Sequence, residues 1–162
     1  MDIISDTRAL LLSLVDHTLV RSRRRLFESD FRTLPTDTRD QLSDGPLELE
    51  VDDGRIVSFV PETKRATVLV IPTPMPVWGP SYKLHELSQN DFWLPRLHRQ
   101  VTGVGLLFDE GSELTFDEPF GISFSLEGLV GFVVEYISND QFSDQLRVLS
   151  HAEGRFEMLS LT

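Results

Sequence analysis

The sequence predicts an α+β fold: an N-terminal helix packed on a largely antiparallel, meander-rich β-sheet, with a Pro-rich crossover near the middle. Three observations predict it. Apolar residues recur at helical spacing near the N-terminus, a period of two begins at Leu47 and returns after Val101, and prolines crowd the stretch between them. The chain has 162 residues and no cysteine. That length suits one domain, and the missing thiols exclude disulfide frameworks, thiolate zinc sites and iron–sulfur clusters. Two small sheets, over 47–71 and 101–159, are the alternative arrangement.

Within the N-terminal segment 1–27, residues 6–27 read as one amphipathic helix. Asp6 or Ser5 caps it, and Leu11, Leu14, Val15, Thr18, Leu19 and Leu26 form its stripe. Arg21, Arg23, Arg24 and Arg25 then fall at the helix end, where cations complement the macrodipole. Residues 28–46, ending Asp44-Gly45-Pro46, are turn-rich and read as a linker. Over 47–71 the pattern is a β-meander. Leu47, Leu49 and Val51 alternate with Glu48, Glu50 and Asp52, Asp53-Gly54 makes the turn, and Arg55–Val60 and Ala66–Ile71 follow as strands.

Residues 72–100 form the crossover. Pro72, Pro74, Pro76 and Pro80 cannot lie in a central strand, because proline fixes φ and lacks a donor. The stretch suits a polyproline-II ligand or, on the favoured reading, an ordered crossover with Trp78 on the core. Helical character returns around Lys83–Gln89 and Phe92–Gln100. The region 101–162 is strand-rich and acidic, with a tight turn at Glu127-Gly128. Pairing outward from that turn sets Gly121, Ser123 and Ser125 on one face with Val130, Phe132 and Val134. Such small residues leave room for a close approach, assigned here to the N-terminal helix in preference to a ligand groove.

Charge is uneven. Residues 1–99 carry 15 acids and 13 bases, whereas residues 100–162 carry 11 acids against Arg147 and Arg155 alone. Phosphate contacts need Lys and Arg, so nucleic acid is not the expected ligand. An acidic face instead attracts a basic protein partner or keeps the chain dispersed. The opening Met1-Asp2-Ile3 lacks a signal's positive region, and the early apolar run 9–15 is far short of the roughly 20 residues that cross a bilayer. A cytoplasmic protein off the membrane is the expectation.

Few residues suggest chemistry. No phosphate loop, dinucleotide fingerprint, nucleophile elbow or zincin helix is present. His85, Glu86, Asp91 and His98 are the one local grouping suited to a metal or a base. Two histidines 13 apart across a break give no guarantee of convergence, and Arg96 and Arg99 flank His98. Glu135 is the acid set oddly within an apolar run, and alternation points it outward. No catalytic residue, metal or cofactor is therefore expected.

The stretch Phe120-Gly121-Ile122-Ser123-Phe124-Ser125-Leu126-Glu127-Gly128 resembles small acidic bacterial immunity proteins of polymorphic and contact-dependent toxin systems. Val133–Ile137, Phe142–Val148 and the upstream Asn90–Leu97 add to the likeness, which covers about the last 75 residues. The resemblance implies a cytosolic, non-catalytic protein that covers a cognate toxin domain, with a few aromatics anchoring and acids steering. Candidate anchors are Phe120, Trp93 and Tyr136, and candidate acids are Asp109, Glu110, Glu113, Asp117 and Glu118. A secretion-type chaperone binding an extended client is the second reading, and a small enzyme the third. The oligomeric state stays open.

Overall fold

The computed structural model describes residues 3–35, 41–113, 118–138 and 144–162. Within them the chain is mostly antiparallel β, with two short helices, which corrects the expected α+β class. Helix α1 spans Ile3–Leu12, and strand β1 follows at Leu19–Phe27. Asp16 takes a positive φ of 71° between them, where a helix of L-residues stops. Residues 19–27 are therefore a strand and not the second half of a long helix. The physical reason lies in distant acids. Arg21 and Arg23 face Glu50 and Glu48 across one ladder, and Arg23 faces Glu86 across the other. These cross-strand pairs outweigh a helical stripe that has no equivalent partner.

Helix α2 (Glu28–Thr33) and strand β2 (Leu42–Ser43) occupy the described part of the expected linker. Strands β3 (Leu47–Val51), β4 (Ile56–Glu62) and β5 (Thr67–Ile71) run antiparallel in succession. Strand β6 is Tyr82–Glu86. The acidic region supplies β7 (Val101–Asp109), β8 (Gly121–Leu126), β9 (Leu129–Ile137), β10 (Gln145–Leu149) and β11 (Phe156–Ser160). These make two sheets, ordered β5-β4-β3-β1-β6 and β11-β7-β8-β9-β10-β2. No helix among the described residues is long and apolar enough to cross a membrane.

The sheets pack face to face over one core. Leu47, Leu49, Val57 and Phe59 of the first meet Phe124, Phe132 and Val134 of the second. Phe59 stands edge-on to Phe124 at 5.8 Å, and Phe124 stacks on Phe132 at 4.8 Å. Leu11 and Leu14 enter the same core. Arg24 is buried there too, and donates to the carbonyls of Ser43 (3.0 Å), Gly45 (3.2 Å) and Leu146, tying β1 to the far edge of the second sheet.

In each sheet the two outermost long strands are parallel and far apart, so a strap crosses the outer face to join them. Residues 72–81 cross the first sheet from β5 to β6. Met75, not Trp78, is the residue this strap buries, and its N–H donates to Glu48 Oε2 at 3.0 Å. The Ser58 hydroxyl donates to Thr73 O at 2.6 Å, and Arg25 Nε donates to Pro76 O at 3.2 Å. Residues 150–155 cross the second sheet from β10 to β11.

A bulge near the β8–β9 turn changes the expected register: Leu126 faces Leu129, but Phe124 faces Phe132. A Cβ on Gly131 would lie 1.7 Å from Phe124 O, so only glycine fits there. The extra residue turns Gly131, Val133 and Glu135 onto the outer face beside Gly121 and Ser123. What lies over that small-residue face is the strap 150–155 and not the N-terminal helix, which sits by β5 and β7.

Candidate functional site

Loops from both sheets meet at one end of the sandwich. The β7–β8 connection is tied to the β4–β5 turn by Arg65 and Glu118 at 3.2 Å and by the Thr67 hydroxyl, which donates to Pro119 O. Asp144 precedes β10 with a positive φ of 56°, and Asp44 lies just after β2, the neighbour of β10. Acids therefore gather from four loops: Asp44, Glu62, the described acids Asp109, Glu110, Glu113 and Glu118 of the β7–β8 connection, and Asp144. The bases of these turns are Lys64, Arg65 and, at the end of the strap, Arg155.

Two clefts open here. The first, about 380 Å³, lies beneath the strap and is lined by Asp109, Phe120, Glu135, Tyr136, Arg147 and Arg155, among others. Glu135 and Arg147 of this lining are cross-strand neighbours in a row that continues through Gly121 to Leu107. Gly121 makes the row possible, because a Cβ there would come within 3.0 Å of Glu135 Cβ. Glu135 is only 3% exposed. Arg147 Nε donates to Glu135 Oε1 at 2.6 Å, with Nη2 on the same oxygen, while Glu153 of the strap lies 3.9 Å from Nη1. Burial still pushes the Glu135 carboxyl above its usual range, against the opposing pull of Arg147.

The second cleft, also about 380 Å³, is lined by Asp44, Pro61, Glu62, Thr63, Trp78 and Asp144. Two tyrosines flank it. Tyr82 donates to Asp44 Oδ2 at 2.6 Å and Tyr136 donates to Asp144 Oδ1. Burial, then the Asp44 carboxylate, raises the Tyr82 phenol, while for Tyr136 the bond to Asp144 is the first cause of a raised value. Both phenols stay protonated and act as donors that orient carboxylates.

The sequence-derived candidates are divided by this geometry. Asp109, Glu110 and Glu113 are exposed on the β7–β8 connection, and Glu110 lies 3.7 Å from Arg155. Glu118 is half-buried against Arg65, and Asp117 lies outside the described residues. Phe120 is half-buried in the first cleft, where Tyr136 lines the floor. Trp93 is elsewhere. It is 1% exposed and stands edge-on to Phe132 at 5.0 Å and to Phe92 at 5.2 Å. It holds the core and has no face to offer a partner, so it is not an anchor.

His85 and His98 do not converge. His98 N–H donates to Leu19 O, whereas His85 is registered with Arg24, roughly 16 Å further along β1. The structure instead brings His17 to Asp52 (2.8 Å) and Asp53 (3.8 Å) at the opposite end of the sandwich. A separation of 35 residues concealed this grouping, for which β1–β3 pairing is the only clue. Arg55 Nε already sits 2.7 Å from Asp53 Oδ2, so the group is an ion-pair cluster with its own cation. No family model matches this chain, and neither does any curated protein or solved structure.

Proposed function

We propose that this chain is a non-catalytic protein-binding β-sandwich that receives a basic partner domain on its acidic end, the partner being a toxin domain that it neutralises. The observation that carries this reading is the convergence of acids from four loops around two clefts, with Phe120 and Trp78 half-exposed between them. Acids so arranged accelerate encounter with a basic cleft, and the aromatics supply desolvated contacts once docked. Three carboxylates of the clefts, Asp44, Asp144 and Glu135, are held by tyrosine hydroxyls or Arg147, so their positions are set before binding. The secretion-chaperone alternative builds its dimer on a long N-terminal helix. Here that segment is α1 followed by β1.

The test is capture from native lysate on the immobilised chain and on a variant carrying Asp109→Lys, Glu110→Lys and Glu113→Lys. One basic protein held stoichiometrically by the parent and lost by the variant, with its toxicity suppressed on co-expression, is the expected result. Equal capture by both chains, or a captured protein harmless to cells, defeats the proposal.

A further inference from the structure

Among the described residues the two sheets leave four strand edges, and three of them are guarded. Strand β2 is two residues long, β6 carries Lys83 and Glu86, and Thr7 and Arg8 of α1 lie against β5. The fourth, β11, ends the second sheet with five residues, Phe156-Glu157-Met158-Leu159-Ser160, and has no proline, lysine or bulge. Its backbone directions follow from one bond. Leu161 N–H donates to Val104 O at 2.9 Å. Alternation along an antiparallel ladder then turns the groups of Leu159 and Glu157 toward β7, and those of Phe156, Met158 and Ser160 away from it. Those same three residues put their side chains on the outer face, where Phe156 is 38% and Met158 56% exposed. An edge of unshifted register, with ladder groups turned outward and exposed large apolar side chains, is a template for another strand.

We infer that β11 is a pairing edge through which two copies of this chain join antiparallel about a two-fold axis at Met158. The sequence of the strand is complementary to itself in that register. Met158 meets Met158 of the second copy with both outward bonds exchanged, and Phe156 pairs with Ser160 in the same bonded way. Glu157 falls opposite Leu159, so no acid of the strand faces another acid. The pairing would extend each six-stranded sheet into its mate and cover both apolar side chains. A five-residue edge is a small contact, so the dimer dissociates on the order of tens of micromolar. Each copy carries a net charge of −11, and added salt should therefore tighten it.

Sedimentation velocity of the full chain between about 1 and about 300 µM tests this, since that span brackets a weak contact. The expected mass rises from 18.5 kDa toward twice that value, and rises earlier at higher salt. Met158→Pro removes only an outward N–H and spares the bonds to β7, so it should hold the chain at the monomer mass. Met158→Lys sets two cations together at the axis and should raise the dissociation constant at least tenfold, which guards against Met158→Pro simply misfolding. A single 18.5 kDa species at every concentration, or a dimer indifferent to both substitutions, overturns the inference.

Discussion

Arg147 forks onto one oxygen of Glu135, a carboxylate at the centre of the second sheet's outer face and almost wholly buried beneath the strap. The first sheet repeats the arrangement. Glu48, 4% exposed, is paired with Arg23 of the neighbouring strand and accepts the N–H of Met75 from the strap above it. In both sheets a buried acid lies beneath the crossover and an adjacent arginine offsets its charge; Glu48 accepts directly from its strap, whereas in the second sheet Arg147 Nη1 lies 3.9 Å from the strap's Glu153. An apolar residue in place of Glu48 would cover the sheet equally well but would accept nothing from the N–H of Met75.

Arg147→Ala should destabilise the fold by about 2–4 kcal/mol at neutral pH, since it strands a buried carboxylate while the arginine itself is partly exposed. Glu135→Gln should cost about 1 kcal/mol, because the amide keeps an acceptor for Arg147. Urea midpoints give both values. An Arg147→Ala loss no larger than that of Glu135→Gln contradicts the pairing.

The pH dependence has a definite sign. Glu135 has a folded pKa above its ordinary 4.5, so the folded state binds the proton more tightly than the unfolded chain. The stability this contributes is complete below the unfolded value and is lost as pH rises through the raised folded value. Relative to Glu135→Gln, the parent should therefore lose stability on going upward from about pH 4.5, and the Arg147→Ala defect should shrink on acidification. A parent–variant difference that stays flat across this window would falsify the assignment.

Arg24→Leu should cost at least about 3 kcal/mol, because three carbonyls from two segments lose a shared buried donor. Arg24→Lys should recover only part of this, as one ammonium cannot reproduce the planar fork. Equal stability of the lysine variant and the parent, read by thermal unfolding, would show that charge alone suffices.

Two glycines separate space from conformation. Gly131→Ala collides with Phe124 O and should prevent folding or lower the melting temperature by more than 10 °C, a loss of roughly 3 kcal/mol or more at this size. Gly54→Ala meets no neighbour but holds a φ of +88°, and should cost about 1 kcal/mol. Similar melting temperatures for the two would refute the bulge.

Two aromatics separate core from surface. Trp93→Ala should destabilise by about 3–5 kcal/mol, as expected for a filled interior position. Phe120→Ala should stay within about 1 kcal/mol of the parent while weakening capture of the partner. A stable Trp93→Ala chain with lost capture would restore the anchor role that its burial denies.

Local patterns were readable because they are written in neighbouring residues. Leu47–Ile71 alternates with period two and turns at Asp53-Gly54, and Gly121–Ile137 does so around Gly128, whose φ is +69°. The acid surplus after residue 100 is likewise a property of the chain itself. The segment 19–27 was not readable in this way. Its apolar spacing fits a helix, and the acids that make it a strand lie 25 to 63 residues further along.

The sequence by itself determined the turns, most strands and a strongly acidic C-terminal third. Tertiary structure decided the register, since one extra residue at the bulge sets Phe124 opposite Phe132 and Ser123 opposite Val133, and it decided that a strap covers Glu135. It also decided that Trp93 lies inside and that acids from four loops share one end. The reason is range: turn chemistry and alternation act over a few residues, whereas burial and charge clustering depend on contacts between residues far apart in the chain.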